Sequence, residues 1–537
     1  MRKTSMTAAL PLALLMVALA AGQEATLRGR IVDSRTQTPL AARLYVQSDD
    51  GTWYFAKSSS SEGAAVAYDK MRGESIERHT AVSAHPFQVD LPSGKYTLTV
   101  ERGKEYLPEV REVEIGDKPV DVTIPLRRWI SMSALGWYSG ETHVHRQVSE
   151  LPTAMSADDL NVALPLTYWV TQAFTPPTSG DKNSPPAKAE LIHIDPTHVI
   201  YPMNTEYEIF TVDGKRHTLG AIFALGHKRV LDRGAPPIGP IARQVHDEGG
   251  LLELDKHAWP WSMMLVATAE VDLYELTNNH LWRTDFHFRH FNEQYAAPQM
   301  NVEIDENGMT ERGWIDFTFN NYYTLLNCGF RLRPTAGTAS GVHPVPLGFG
   351  RVYVYTGDDF SYEAWMKGLD AGRSFVTTGP LLDVRLNGRL PGETFMQPGE
   401  SRDYKFTGLA YSERPLSKIE IVAEGRVLRT LEPANMPRES GGYESAVEAT
   451  IPVGSSTWFC LRCWAPTAEG RPRFAHTAPW HVDVADRPLR ARPEEIEYLI
   501  RRNQDELERH EGVLPKAALD EYRRAIEKYR QAAKAVE

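Results

Sequence analysis

The residues in this chain best suited to chemistry are two histidines two positions apart. His143 and His145 close the stretch SGETHVH at 139–145. The apolar approach over 134–138 predicts a strand running into that stretch. On a strand, residues i and i+2 project from the same face, so the two imidazoles can share a metal ion. An isolated His-x-His recurs by chance, so its weight depends on what accompanies it. Glu206 and Glu208 alternate within NTEYEIF at 204–210 and share a strand face. His217 precedes the apolar run 219–225, which ends at Gly226-His227-Lys228. His257 follows the buried strand 251–254, with Asp255 either orienting it or capping a turn. Glu275, Asn278, Asn279 and His280 follow an apolar strand at 271–274. His343 lies in a Gly-rich turn. Twelve of the 17 histidines fall between Trp137 and Arg351. Neutral imidazoles combined with carboxylates suit zinc, manganese or iron. Other histidines read as bystanders: His246 on a solvent-facing helix, and His280, His287 and His290 in a polar, aromatic-rich loop.

These residues need a frame that brings strand ends together. Over 129–378, helical and strand patterns alternate. The clearest unit is a helix at 241–248, a stop at Gly249-Gly250, and the strand 251–254. That is the order of α/β folds, whose ligand sites lie at the C-terminal ends of strands. On either side the sequence reads as all-β. Short alternating runs at 27–32, 43–47, 96–100, 110–115 and 120–126 predict a small sandwich over 23–128, with 57–85 as a loop or insertion. Runs at 381–386, 404–409, 419–423 and 458–464 predict a second sandwich over 379–489. Residues 490–537 read as a helical hairpin that packs on a domain. Its apolar stripes are Ile496, Leu499, Ile500, Leu507 and then Leu519, Tyr522, Ile526, Tyr529. Cys460 and Cys463 fall on opposite faces of one strand, which argues against a redox pair.

Composition bounds the class. The chain has 537 residues, 42% hydrophobic and 24% charged, which is ordinary for a multidomain globular protein. A formal charge of −11 gives no reason to expect a nucleic-acid partner. Arg2 and Lys3 precede an apolar run over 8–21 that ends in small residues. This predicts a signal peptide over 1–22, and hence an exported periplasmic or extracellular chain with no membrane insertion after cleavage. The three cysteines cannot build a disulfide framework.

The order of the motifs resembles the PHP (polymerase and histidinol phosphatase) metallohydrolases, and within them the exported carbaryl-hydrolase-like (CehA/McbA) branch. The stretches GFGRVYV at 348–354 and AGRSFVTTGP at 371–380 add to that resemblance. Residues 23–128 resemble carboxypeptidase regulatory-like modules, from GRIVD at 29–33 through GKY at 94–96. The resemblance implies a multidomain α/β plus all-β protein. Its core would be a distorted PHP-type (β/α) barrel with two β-sandwich modules and the helical hairpin around it. It implies His143, His145, Glu206, His217, His257 and His343 as ligands of a divalent metal, zinc first, with manganese or iron as alternatives. The activity implied is hydrolysis of an ester, amide, carbamate or phosphoester in a small-molecule or glycan-related substrate. His227 or His257 would move protons, and Lys228 or Arg351 would steady an anionic transition state. Trp169, Trp259 and Trp261 would wall the pocket. Two departures stand out. A family Thr-Asp-His motif corresponds here to LTYW at 166–169, and the final Gly-Ser-Asp-x-His has no Asp in GTASGVH at 337–343. Asp195, His193 and His198 are candidates to substitute. The alternative is a degenerate scaffold kept as an extracytoplasmic binding protein.

Overall fold

The computed structural model describes residues 24–179 and 186–534. The expected signal peptide lies outside them. No helix among the described residues is long and apolar enough to cross a membrane.

The first region holds two sheets around one core of Leu27, Ile31, Leu44, Val46, Leu98 and Ile124. Glu24–Asp33 runs parallel to Val120–Arg128 and antiparallel to Phe87–Pro92. Ala42–Ser48, Gly94–Glu101 and Glu109–Ile115 lie side by side in the other sheet. The stretch expected as a loop instead carries a long hairpin, Ala65–Arg72 paired with Ser75–Val82. Its apolar alternation is weak for a physical reason. The first strand is largely exposed, and the second buries Glu77, His79 and Thr80, polar residues with partners.

The central region is mixed α/β. Trp137–Val144 lies parallel to Val162–Pro165 and to Arg333–Ser340, and antiparallel to Arg351–Tyr355. Thr205–Val212 and Lys215–Leu225 form a hairpin, and Lys215–Leu225 continues antiparallel onto Leu251–Leu254. Leu251–Leu254, Leu273–Thr277 and Arg333–Ser340 are then parallel neighbours, which leads back to Trp137–Val144. Regular strand–helix alternation therefore does not run through the region. The cause is local. Asp213 and Gly214 are both left-handed, with φ of 47° and 73°. Such a two-residue turn sends the chain straight back as a hairpin. The helix Gly239–Asp247 occupies the place expected for it.

The C-terminal strands divide between two sheets: Leu381–Leu386, Arg402–Ser412 and Tyr443–Val453 form a sheet of their own, while Lys418–Ala423, Thr457–Trp464 and Trp480–Val484 continue the central one. Ser374–Thr377 pairs with Phe474–Thr477, so one ladder passes from the central region into the last β region. Cys460 belongs to the central core and Cys463 to the core beside it, as opposite faces of Thr457–Trp464 require. The helices Pro493–His510 and Lys516–Lys534 pack on the central core through Tyr498, Leu499, Tyr522 and Tyr529.

Several buried histidines make stability depend on pH. Burial holds His79 down to about 4, and His476 and His510 down to about 3. In the unfolded chain each binds a proton near pH 6.5. The unfolded state thus takes up protons first. This contribution is intact above about pH 6.5 and is lost as pH falls toward 4 and 3. Chelator-treated protein is expected to show a lower urea midpoint at pH 5 than at pH 7.5. An unchanged midpoint would contradict the neutral, buried state of these rings.

Candidate metal centre

Trp137–Val144 is wholly buried and carries His143 and His145 to its C-terminal end. Their Nε2 atoms face each other at 3.2 Å. His145 Nε2 also lies 3.3 Å from Glu206 Oε2, on the strand Thr205–Val212. All three residues are buried, and one ligand atom from each falls within 4.8 Å of the other two. Two ligand atoms bound tetrahedrally to one ion at about 2.1 Å sit roughly 3.4 Å apart. The two measured edges match that spacing.

His143 also belongs to a second group, with Asp255 and Glu275. Its Nδ1 lies 3.0 Å from Glu275 Oε2 and 3.8 Å from Asp255 Oδ1. One imidazole does not ordinarily bind an ion through each nitrogen. The consistent assignment has Nδ1–H donating to Glu275, with the Nε2 lone pair left for an ion shared with His145 and Glu206. This is the carboxylate–histidine arrangement that orients metal ligands.

The strands that position these groups approach closely, and a glycine permits it. A Cβ on Gly337 would lie 2.1 Å from His143 Cβ and 2.8 Å from Glu275 Oε1. Gly337 pairs with His143 across the parallel ladder. Gly337 thus lies on the strand Arg333–Ser340 rather than in the expected turn, and matters for the space it leaves.

The electrostatics favour a cation. Glu206, Glu253, Asp255 and Glu275 are all buried, with Glu208 beside them. One lysine, Lys256, serves three of these acids. It contacts Asp255, lies 3.2 Å from Glu208 Oε1 and 3.6 Å from Glu206 Oε1. Burial alone would lower its pKa, but Asp255, Glu208 and Glu206 outweigh burial and hold it well above the usual lysine value. Burial and the charges of Asp255 and Glu253 push Glu275 well up. Burial also raises Glu253, to about 8, against a hydrogen bond from Thr142. Glu275 Oε1, Asp255 Oδ1 and Glu253 Oε2 are buried and accept no hydrogen bond. Uncompensated buried carboxylates are costly, and a bound cation removes that cost. The donor set fits a divalent metal.

The structure does not bring all the expected residues to this point. His217 sits six residues down its strand from Phe223, the partner of Glu206, about 20 Å away by strand rise. Its Nε2 lies 2.8 Å from His510 Nδ1 of the helical hairpin. His257 is buried beside the cluster, but both its nitrogens are engaged. Asn321 Nδ2 donates to Nδ1 at 3.1 Å, and Nε2 meets Thr318 Oγ1 at 3.0 Å. It belongs to neither metal group. His227 meets Thr205 Oγ1 through Nε2 and the Arg229 carbonyl through Nδ1, so it is no freer to move protons. Lys228 is exposed, and only its backbone N–H is anchored, to Glu248. Arg351 spends its guanidinium on the carbonyls of Gly348, Asp158 and Asp159. His343 is held by the N-terminal hairpin. Its carbonyl accepts from Tyr68 Oη at 2.5 Å, and its Nδ1 lies 3.3 Å from Arg72 Nη1. His198 and Asp195 pair with each other at 2.8 Å. Neither they nor His193 joins a metal group among the described residues. His246 is engaged with Asp272 at 2.8 Å. Trp169 donates to Glu208, and Trp259 lies 5.3 Å from the Lys256 ammonium. Trp261 is core, packed over Gly220.

Sequence reasoning missed Lys256 and gave Glu253 no role. The signal was present: a glutamate inside the apolar run LLEL, followed at once by Asp255-Lys256. Charges rarely interrupt a buried strand unless they are paired or bound to a cation.

No family model matches the chain, and none of the curated proteins does. Among solved structures, the chain is similar to a two-domain protein from Bacteroides vulgatus ATCC 8482 that is described as containing a predicted PHP-like metal-dependent phosphoesterase. The identity is 9%, over 61% of this chain and 91% of that one, at a TM-score of 0.28. A score that low does not establish a shared fold, and the metal centre stands on its own geometry.

Proposed function

We propose that the chain is a metal-dependent hydrolase whose ion is held by His143, His145 and Glu206. The observation that carries this is the pair of edges at 3.2 and 3.3 Å, set among buried carboxylates that outnumber their one lysine. With two imidazoles and a carboxylate, zinc fits first, and manganese or iron remain alternatives. A divalent ion at such a site supplies a nucleophilic water at neutral pH and polarises a carbonyl or phosphoryl oxygen.

The chain's own residues do the remainder. Glu275 fixes the tautomer and direction of His143. Lys256, a buried ammonium beside Glu206, is the cation placed to steady negative charge developing on a substrate oxygen. It takes the part that Lys228 was expected to play. Trp259 and Trp169 crowd the Lys256–Glu208 side and exclude water there. Ester, amide, carbamate and phosphoester substrates all suit this set. The PHP-type reading, with its exported carbaryl-hydrolase-like branch, is supported by the order of the sequence motifs.

The alternative is an extracytoplasmic binding protein on a degenerate scaffold. What favours it is that His227 and His257 are both tied up in structural hydrogen bonds. One experiment separates the two. Zinc- or manganese-loaded protein is assayed on ester, carbamate and phosphoester panels beside the His143→Ala, His145→Ala variant. Turnover that the variant lacks is the expected result. Equal turnover in both would end the metal-hydrolase reading, and metal binding without turnover on any panel would favour the binding protein.

A further inference from the structure

A cleft of about 340 Å³ opens where the N-terminal module, the central region and the last β region meet. Six cationic side chains line it, Arg43, Lys104, Arg283, Arg351, Arg414 and Arg473, against three glutamates. None of its lining residues belongs to the metal centre. Three of the cations are neutralised within the protein. Arg43 pairs with Asp158 and Glu101, Arg283 with Glu77 at 2.9 Å, and Arg473 with Glu311 at 3.3 Å. Lys104, Arg351 and Arg414 have no carboxylate at ion-pairing distance among the described residues.

Lys104 is the informative one. Its ammonium has three donors. One is satisfied, by the Thr378 carbonyl at 3.0 Å. The ammonium lies 4.6 Å from the Phe349 ring centroid, and the Arg473 guanidinium lies 5.1 Å from the same ring. Burial, with Arg351, Arg473 and Arg43 nearby, holds its pKa well below the usual lysine value. Crowding a lysine among arginines is unfavourable, and an anion within reach of its remaining donors reverses that.

We propose that this cleft binds a small organic oxyanion, a phosphate or sulfate ester, with Lys104 and Arg414 on the oxyanion. Donors from two separate segments suit an ion with acceptors on several sides. The volume exceeds that of a bare phosphate and falls in the range of small-molecule sites. Tyr106, Phe349 and Pro466 give the organic portion an apolar wall. The site is independent of the metal centre and of its chemistry.

Calorimetric titration of the chelator-treated full chain with inorganic phosphate, at fixed ionic strength, tests this. Chelation prevents phosphate from reporting on a bound metal. A saturable heat is expected, with sulfate competing for the same site. Lys104→Met should weaken phosphate binding at least tenfold without lowering the melting temperature of the free protein. Arg414→Ala, at an exposed position, should weaken it several-fold and serves as the second variant if Lys104→Met fails to fold. No saturable heat, or unchanged affinity in the variants, would overturn the proposal.

Discussion

Alanine at position 145 is expected to empty the metal centre. Wild-type protein, dialysed against buffered zinc, should retain about one ion per chain, the number a single His143–His145–Glu206 site holds. His145→Ala removes one of three ligands. Loss of a mere outer partner costs about 10–100-fold in affinity, so loss of a direct ligand should cost at least about 100-fold. Glu275→Gln provides the graded control. It keeps the shape but replaces the carboxyl oxygen that accepts from His143 Nδ1–H at 3.0 Å with an amide, and should fall in the range of about 10–100-fold. Elemental analysis by mass spectrometry reads both. Retention of metal by His145→Ala equal to wild type would remove the site from this part of the fold. Loss in Glu275→Gln as complete as in His145→Ala would point instead to the group His143–Asp255–Glu275.

The nucleus of this centre was legible because it obeys a local rule. His143 and His145 alternate on one strand, and Glu206 alternates with Glu208 on another, so their facing follows from spacing alone. His257, His227 and His217 looked equivalent, since each sits at the end or start of an apolar run. What separates them is tertiary. His257 is claimed by Thr318 and Asn321 of the helix Glu311–Asn327, more than 60 positions downstream. His227 is claimed by Thr205 on a neighbouring strand. His217 faces a helix nearly 300 positions away. No periodicity encodes such partners. The β regions were legible for the same reason as the His-x-His, through alternation. The hairpin Ala65–Arg72 and Ser75–Val82 was hidden because its buried face is polar and satisfied by another region, as with Arg283 on Glu77. The continuous ladder through Phe474–Thr477 was likewise beyond reach, because pairing across 100 residues leaves no trace in local pattern.

Deleting 490–537 is expected to unfold the central region, because this hairpin, expected from the sequence to pack on a domain, supplies part of the central core. Tyr498, Leu499, Leu514, Tyr522 and Tyr529 are part of the central core. At about 1.5–3 kcal/mol for each large side chain, they bury the equivalent of roughly 8–15 kcal/mol. The deletion also removes the cost of ordering the hairpin, so the net loss is smaller than that sum. The polar contacts shift the balance back. Glu521 accepts from the backbone N–H groups of Ile238 and Gly239, at the start of the helix Gly239–Asp247. Tyr529 Oη donates to the Met263 carbonyl, and Arg502 donates to the Trp259 carbonyl. Tyr498 Oη accepts from Arg502 and donates to Asn321 Oδ1, and Asn321 Nδ2 donates to His257. The hairpin thus holds both sides of the loop that carries Asp255 and Lys256. Domains of this kind are stable by about 5–15 kcal/mol, so a net loss of several is a large share of the total. The expected result is insoluble protein, or a melting temperature lower by roughly 10 °C or more. A soluble truncated chain with an unchanged melting temperature would show that the hairpin is accessory. Arg502→Met separates the two contributions. It keeps most of the packing and removes the bonds to Tyr498 and Trp259, so the fold should survive while metal affinity falls. Unchanged metal affinity in Arg502→Met would confine the hairpin's role to burial.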